Sequence, residues 1–205
     1  MEKLFIFPFN GNGIEALDCV RGQYDFVGFI DDTAEKQGRN PLGFTVYSRS
    51  ILEKYPKAKV LAVPGSSLNF KSRSTIIDSL KMQRSDFATL IHPNASVSPL
   101  AVIGHNVLIM AGVVITSNVI IGDHVIVLPN TVIHHDSKVG KYTMIGSNTT
   151  IAGRSVIGHN CYIGSGSNII NDIEIGDNTL IGLGSNVIRN VASGSKIAGN
   201  PARPL

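Results

Sequence analysis

The chain has 205 residues, a formal charge of +3 and two cysteines. This mildly basic balance lacks the clustered Lys and Arg of a nucleic-acid-binding protein, and no window approaches the roughly 18 apolar residues of a membrane span. The apolar run in MEKLFIFPFN is too short for a signal peptide, and Cys19 and Cys161 have no metal-ligand spacing. We therefore expect a cytoplasmic protein without a metal, a nucleic-acid partner or a membrane segment.

Composition changes sharply near residue 90. Residues 1–90 hold 12 Lys and Arg, 10 Asp and Glu and every Phe. Residues 91–205 hold 6 Lys and Arg, 5 Asp and Glu and every His. Such a change predicts two domains of different architecture, residues 1–90 and residues 91–205.

The first domain has the pattern of alternating strands and helices. KLFIFPF predicts a strand, NGNGIEALDCV a glycine loop that opens a helix, and FVGFIDD a second strand. A later strand, KVLAVPG, leads into a segment that is helical from about Ser72. This order is typical of a small α/β domain of the Rossmann-like kind.

The glycine loop suggests a nucleotide site. Its residues match GxGxxA, and an aspartate follows twenty residues after the first glycine, which is the spacing of a dinucleotide fingerprint. Ninety residues supply only about half of a dinucleotide-binding fold, so a mononucleotide is the better fit. A helix N-terminus would hold phosphate, and a carboxylate would accept hydrogen bonds from base or ribose. The candidate contacts are Asn10, Gly11, Asn12, Gly13, Asp31 and Asp32. The alternative is an α/β domain whose glycines only make a tight turn.

From Ile91 onward, Ile or Val recurs at every sixth residue. The series has seventeen members without an insertion and ends at Val187. The residue four places after each is nearly always small or β-branched, and glycines recur at an interval of 18, at Gly104, Gly122, Gly140, Gly158 and Gly176. Three short strands therefore form one coil, and about 5.7 stacked coils form a prismatic solenoid. We expect the aliphatic residue to point inward and the glycine to permit a tight turn.

The same register predicts structural roles for several reactive side chains. Cys161 occupies the small inward position, so we expect core packing rather than an acyl-cysteine nucleophile. His92, His105, His124 and His159 lie at scattered positions of the repeat and are expected as surface or corner residues rather than ligands.

The repeat resembles that of the hexapeptide-repeat acyltransferases. Both halves together resemble one subgroup, the sugar-nucleotide acetyltransferases of the PglD, NeuD and VioB types. This resemblance implies a left-handed β-helix, a homotrimer, acetyl-CoA as co-substrate and a UDP- or dTDP-linked amino sugar bound by the first domain. The first loop of the subgroup is commonly GxSGHG and stands here as PFNGNG, with Pro8 and Asn12 in place of a glycine and a histidine.

Acetyl transfer from a thioester to an amine needs a base and a donor for the oxyanion. The family pattern of a histidine followed by an acid maps onto His135 and Asp136 in VIHHDSKVG, and His134 is the rival base. Gly153 follows His135 by eighteen residues, one coil on, and the resemblance assigns the oxyanion donor to its N–H and room for the thioester to its missing side chain. Met144 stands where related enzymes can have a second histidine near the acetyl group.

The closing segment SKIAGNPARPL resembles the family element G-x-P-A-(K/R), which lies near the acetyl-CoA nucleotide. By this resemblance Lys196 and Arg203 would meet the phosphates of acetyl-CoA. Gly166 and Gly184 would leave a shallow surface for the pantetheine arm.

The function predicted from the sequence is acetyl-CoA-dependent N-acetylation of the 4-amino group of a UDP- or dTDP-linked 4-amino-4,6-dideoxy sugar, in the synthesis of a surface glycan such as O-antigen. Two alternatives remain open: transfer to a sugar hydroxyl, as in sialic acid O-acetylation, and a non-catalytic solenoid scaffold that binds a nucleotide or a partner. The combination of His135, Asp136 and Gly153 favours an enzyme, because a passive coil has no need of it.

Overall fold

The chain before Leu90 forms a five-stranded sheet with short helices. The computed structural model describes residues 1–205. The strands of the first part are β1 (Lys3–Phe7), β2 (Asp25–Ile30), β3 (Gly38–Arg39), β4 (Thr45–Tyr47) and β5 (Lys59–Ala62). Its α-helices are α1 (Gly11–Glu15), α2 (Ile51–Lys54) and α3 (Arg73–Asp78), and 3-10 turns span Ala16–Cys19, Ala34–Lys36, Phe70–Ser72 and Arg84–Asp86. The strands and helices predicted for this part are confirmed.

The strand order across this sheet is β3-β4-β2-β1-β5. All neighbours are parallel except the edge pair β3 and β4. Side chains of β1 alternate between two apolar clusters, as a strand buried on both faces requires. Leu4 and Ile6 belong to one cluster, and Phe5 and Phe7 belong to the other.

The second part is a prism of very short strands. Its repeats supply seventeen two-residue strands, and the aliphatic residue of the predicted series is the second residue of each. The prediction of an unbroken six-residue repeat is therefore confirmed. These strands are β6 (Leu90–Ile91), β7 (Ser96–Val97), β8 (Val102–Ile103), β9 (Leu108–Ile109), β10 (Val114–Ile115), β11 (Ile120–Ile121), β12 (Ile126–Val127), β13 (Val132–Ile133), β14 (Lys138–Val139), β15 (Met144–Ile145), β16 (Thr150–Ile151), β17 (Val156–Ile157), β18 (Tyr162–Ile163), β19 (Asn168–Ile169), β20 (Glu174–Ile175), β21 (Leu180–Ile181) and β22 (Asn186–Val187).

Three parallel sheets make the faces of the prism. We name them the first face (β6, β9, β12, β15, β18, β21, continued by β23 and β24), the second face (β7, β10, β13, β16, β19, β22) and the third face (β8, β11, β14, β17, β20). The hairpin of β23 (Lys196–Gly199) and β24 (Ala202–Pro204) closes the last coil. The chain passes the first, second and third faces in order. We name each turn by the two faces that it joins, as the 1/2, 2/3 or 3/1 corner.

The interior of the prism is apolar and lined by a ladder of hydroxyl groups. Most of the predicted inward residues belong to one buried cluster of 21 members, which includes Cys161, and Ile91, Val97 and Ile103 pack against it while partly buried. Inward Thr and Ser side chains donate to carbonyls of the next coil, for example Thr143 Oγ1 to Gly158 O at 2.9 Å and Ser155 Oγ to Ile170 O at 3.0 Å. The Cys161 Sγ makes the equivalent contact with Gly176 O at 3.3 Å, and burial raises the pKa of its thiol to about 11. The predicted packing role of Cys161 is confirmed.

The turns correct one expectation about glycine. The tight turn requires a positive φ three places after the inward residue, and this position is most often Asn, as at Asn118 with φ +61°. The glycines that recur at intervals of 18 do not have positive φ. A Cβ on Gly140 would come 2.5 Å from the carbonyl carbon of Gly158, so these glycines permit close stacking of coils rather than the turn.

The first domain packs on the first face of the prism. Leu108, Ile126 and Met144 point outward from this face, yet they are at most 4% exposed. They share an apolar cluster with Leu4 and Ile6 of β1. Burial of each such side chain contributes roughly 1.5–3 kcal/mol, so this contact fixes the sheet against the prism. No helix of the chain has the length and apolar character needed to cross a membrane.

Candidate active site

His135 and Asp136 lie at the 2/3 corner, in the turn between β13 and β14. His135 Nδ1 is 2.8 Å from Asp136 Oδ2, and Asn118 Nδ2 donates to the other carboxylate oxygen at 3.0 Å. An ionised carboxylate only accepts hydrogen bonds, so Nδ1 carries the proton of the neutral imidazole. The lone pair of Nε2 is then free to accept a proton.

The charge of Asp136 is stabilised by its neighbours. Hydrogen bonds from His135 and Asn118, with a smaller contribution from the positive charge of Arg154, lower the pKa of Asp136. Arg154 lies one coil further along the same corner, where Nε and Nη2 contact Asp172 at 2.6 and 2.7 Å. The carboxylate of Asp136 is therefore ionised at neutral pH and keeps its orienting bond to the imidazole.

Gly153 lies directly against the free nitrogen of His135. A Cβ on Gly153 would come 2.7 Å from His135 Nε2, so the room left by the missing side chain is occupied by the imidazole. That room was expected to hold the thioester. The Gly153 N–H donates to no group of the chain, and it remains a candidate oxyanion donor beside the candidate base.

The rival histidine has a different environment. His134 is half-buried, and its side chain makes no hydrogen bond with the chain. His135 is half-exposed and has the carboxylate partner. A general base is best held by a third group that orients it, and only His135 has one.

A cleft of about 720 Å³ opens at the carboxyl ends of β1, β2 and β5. Ligands of open parallel sheets bind at this edge. The lining includes Asn10, Gly11, Asn12, Asp31 and Asp32, all of which were predicted from the sequence. Eight further lining residues were not: Phe7, Pro8, Thr33, Pro64, Gly65, Ser66, Asn69 and Ile76. Four of them, Pro64, Gly65, Ser66 and Asn69, lie in or just after the run PGSS. This run is typical of a turn, and it follows β5, the strand that pairs with β1.

The two carboxylates of the cleft are already partnered. Asp31 accepts from the backbone N–H of Thr33 at 3.0 Å and from Lys36 Nζ at 2.8 Å. Burial alone would raise the pKa of Asp31, but these hydrogen bonds outweigh it and lower the pKa. Asp32 accepts from the backbone N and the Nε of Arg49, at 3.0 and 2.6 Å. Both side chains are thus held in place at the cleft by hydrogen bonds from the chain.

The glycine loop is organised by asparagine side chains. Asn10 caps α1 by accepting from the Gly13 N–H at 2.8 Å, and its amide donates to Val63 O at 3.3 Å. Gly13 itself is buried outside the cleft, and a Cβ there would come 2.7 Å from Pro8 O. The structure therefore gives Gly13 a packing role and does not bring it to the cleft surface.

The residues predicted to bind acetyl-CoA lie elsewhere on the prism. Gly166 and Gly184 are at the 1/2 corner; a Cβ on Gly184 would meet no atom within 4 Å, and one on Gly166 would come 3.8 Å from Gly184 Cα. Lys196 and Arg203 are on the terminal hairpin of the first face. A single chain therefore does not place these four residues at the 2/3 corner that carries His135.

Two residues are more buried than the sequence indicated. Met144, which stands where related enzymes can have a second histidine near the acetyl group, is 4% exposed and packs between the prism and the first domain, because its outward position is on the covered face. His124 was expected as a surface or corner residue. It does lie at the 3/1 corner, but it is buried there against Phe87 and Tyr142.

Comparison with known proteins agrees with this architecture. Residues 100–135, 118–153 and 154–189 match the family described as bacterial transferase hexapeptide (six repeats). Within this span, residues 100–189, the chain is similar to bacterial transferases with hexapeptide repeats. The repeats and the three parallel sheets of this hexapeptide-repeat protein fit a left-handed β-helix. No curated protein matches its sequence.

Several solved structures are similar to this hexapeptide-repeat protein over its whole length. The acetyltransferase domain of PglB from Neisseria gonorrhoeae FA1090, in complex with acetyl coenzyme A, is 26% identical with a TM-score of 0.87, covering 100% of this chain and 99% of that one. PerB from Caulobacter crescentus, in complex with CoA and GDP-perosamine, is 24% identical with a TM-score of 0.86, covering 100% and 97%. WeeI from Acinetobacter baumannii AYE is 24% identical with a TM-score of 0.84, covering 100% of both chains.

Proposed function

We propose that the chain is an acetyl-CoA-dependent N-acetyltransferase acting on the 4-amino group of a nucleotide-linked 4-amino-4,6-dideoxy sugar in surface-glycan biosynthesis. The observation that carries the proposal is the 2/3 corner, where a carboxylate-oriented imidazole lies against a glycine with a free N–H. Whole-chain similarity to an acetyltransferase domain with bound acetyl-CoA supports the donor. Similarity to a protein with bound GDP-perosamine supports a nucleotide-linked acceptor and adds GDP to the nucleotides to be tested.

The chemistry follows from the positions of three groups. The acceptor amine attacks the thioester carbonyl, and His135 Nε2 takes the proton that the amine loses. The oxygen of the carbonyl becomes negative and accepts a hydrogen bond from the Gly153 N–H. The C–S bond then breaks, the imidazolium returns the proton to the CoA sulfur, and the products are the acetamide and free CoA. Asp136 stabilises the imidazolium while it exists.

We propose residues 1–90 as a Rossmann-like unit that holds the nucleotide of the acceptor, and residues 91–205 as the unit that holds acetyl-CoA. The central position of β1 between β2 and β5 supports the first assignment, since it places the glycine loop and the β2 carboxylates at one edge. The cleft at that edge contains no Lys or Arg side chain. Backbone N–H groups would therefore be the donors to the phosphates.

We propose a homotrimer of parallel prisms, because the catalytic and acetyl-CoA residues lie at different corners of one chain. A second copy would bring its 1/2 corner against the 2/3 corner of the first. Three apolar residues of the third face support this contact, since Val102, Ile120 and Val156 are 37–60% exposed in a column that also contains Lys138 and Glu174. Sedimentation equilibrium should give three times the mass of one chain; a fully active monomer would contradict the assembly. The predicted cytoplasmic location stays a prediction.

The experiment that tests the function is a thiol-release assay with acetyl-CoA and a panel of UDP-, dTDP- and GDP-linked 4-amino sugars. We expect release with at least one of them, and an acetamide in the product by mass spectrometry. Matched nucleotide sugars with a 4-hydroxyl group are the control for O-acetylation. Nucleotide binding without thiol release from any acceptor would support the scaffold alternative instead.

A further inference from the structure

Arg73, the first residue of α3, is a buried cation at the junction of the two domains. Its side chain is fully buried and has no carboxylate partner. The guanidinium donates to three main-chain carbonyls: Nη1 to Pro64, Nη2 to His124 at 2.6 Å and Nε to Tyr142 at 2.9 Å. Burial lowers the pKa of Arg73 to about 9, so it is charged at neutral pH. A buried charge is costly unless hydrogen bonds replace water, and these carbonyls supply them.

The three carbonyls belong to different parts of the molecule. His124 and Tyr142 occupy the same turn position in neighbouring coils at the 3/1 corner, and their rings stack at 4.6 Å. Pro64 lines the cleft of the first domain. One guanidinium therefore connects two coils of the prism to the wall of the cleft.

A second set of contacts holds the same wall. The Asn106 side chain, one coil before His124, accepts from the Ala62 N–H at 2.7 Å and donates to Ala62 O at 2.8 Å. Its amide nitrogen also lies 3.0 Å from His124 Nδ1. Ala62 ends β5 and precedes the cleft wall by two residues. Three consecutive coils thus hold the chain on both sides of Val63. Asn106 binds Ala62 directly, and the carbonyls of His124 and Tyr142 hold Pro64 through Arg73.

The wall is in direct contact with the Arg73 side chain. Gly65 has φ +122°, and a Cβ there would come 2.9 Å from Arg73 Cδ and from Met144 Sδ. Gly65 is therefore packed directly against the aliphatic part of the Arg73 side chain. Any displacement of Arg73 must therefore move the wall.

We propose that Arg73 is a positioning residue, which sets the Pro64–Ser66 wall of the cleft relative to the prism that carries the candidate base. It acts through the wall and does not touch the acceptor. The assignment of the cleft as the acceptor site rests on the proposed function, but the mechanical connection between cleft and prism does not. The groups that face Arg73 are carbonyls from α3's own domain and from two coils, so the role depends on geometry rather than on an ion pair.

The test compares Arg73→Lys and Arg73→Met with a control, Arg84→Met. Arg84 also joins the first domain to the 3/1 corner, through Asp123 at 2.9 and 3.2 Å, but its side chain is 65% exposed and it lines no part of the cleft. Hydrogen exchange of the full chain is measured over residues 62–69. Exchange there should accelerate in both Arg73 variants, more with Met than with Lys, and should stay at the wild-type rate in Arg84→Met.

Kinetics supply the second readout. Loss of a hydrogen bond to a charged group should raise the acceptor KM by about tenfold in Arg73→Met, with less change in Arg73→Lys. The acetyl-CoA KM should stay near the wild-type value. Unchanged exchange over residues 62–69 in both variants would overturn the proposal, as would an equal rise of both KM values. If the wild-type chain acetylates no sugar, the proposed function fails, and the exchange comparison still decides the role of Arg73.

Discussion

The imidazole of His135 lies over the Cα of Gly153, one coil further along the prism. A Cβ at Gly153 would approach Nε2 to 2.7 Å, so Gly153→Ala should displace the ring while the prism stays folded. A base displaced by a fraction of an ångström to about 1 Å can cost up to about 10²-fold in rate, and we expect kcat to fall by about tenfold to 10²-fold. Ser117→Ala, at the same turn position two coils before Gly153, is the control and should keep the wild-type rate.

The two adjacent histidines should differ sharply in steady-state kinetics. His135→Ala removes the general base, and we expect kcat to fall by about 10²–10⁴-fold. His134→Ala removes a side chain without a hydrogen-bond partner, so its kcat should change little. The far-ultraviolet circular dichroism of both variants should match the wild type, because neither side chain points into the prism. A dead His134→Ala with an active His135→Ala would move the base by one residue.

Asp136→Asn tests the orienting carboxylate. The asparagine keeps the size but loses the charge that stabilises the imidazolium, so the loss in kcat should be smaller than that of His135→Ala. Because hydrogen bonds from His135 and Asn118 lower the pKa of Asp136, its carboxylate stays ionised in the neutral range, and any loss of wild-type activity between pH 5 and 7 belongs to another group. A wild-type pH profile and rate in Asp136→Asn would remove the carboxylate from the mechanism.

Asp31→Ala should weaken binding of the acceptor without affecting binding of acetyl-CoA. Asp31 lines the cleft and organises Lys36 and Thr33, so its loss should raise the acceptor KM while the acetyl-CoA KM stays unchanged. Asp25→Ala is the control, since Asp25 begins the same strand and pairs with Lys3 outside the cleft. Tight binding of NADH to the wild-type chain in calorimetry would contradict the assignment of the cleft to a sugar nucleotide.

His124 should make stability depend on pH. Burial lowers the pKa of His124 to about 4, against about 6.5 for an exposed histidine. Between these values the unfolded chain binds a proton that the folded chain does not, so stability falls as the pH falls from 6.5 to 4. The loss is at most about 3 kcal/mol.

Urea unfolding at pH 7 and pH 5 measures this effect. His124→Asn, which suits the φ of +64° at this turn, should reduce the difference between the two midpoints. His159→Asn, on an exposed turn of the same corner, should leave the difference as in the wild type. An unchanged difference in His124→Asn would assign the acid sensitivity to other groups.

The register of the prism could be predicted residue by residue because one physical requirement repeats. Each inward side chain fills the same narrow space, so Ile91 to Val187 read as one series. The catalytic corner was predictable in part, because positions 18 residues apart must lie against each other. The occupation of the space above Gly153 by the His135 ring was not, since it depends on a side-chain rotamer rather than on spacing.

The docking face was missed, although the sequence contains a signal for it. The residue before each inward position points outward, and on the first face this column is apolar throughout: Leu90, Leu108, Ile126, Met144, Tyr162 and Leu180. The third face has Lys138 and Glu174 in the equivalent column. Apolar outward residues that recur every 18 positions therefore indicate which face is covered. The partners of that face lie many residues earlier in the chain, so the interval alone could not identify Arg73 or Asn106 as part of the junction.

The coils contact only their immediate neighbours, which makes the prism a one-dimensional stack with two ends. Local opening in such a stack starts at an end and costs more with every coil that must be peeled away. The inward residue that precedes His135, Ile133, is the eighth of the seventeen in the series. The candidate base is therefore carried by the part of the stack that opens last, and fraying of the terminal hairpin leaves its geometry intact.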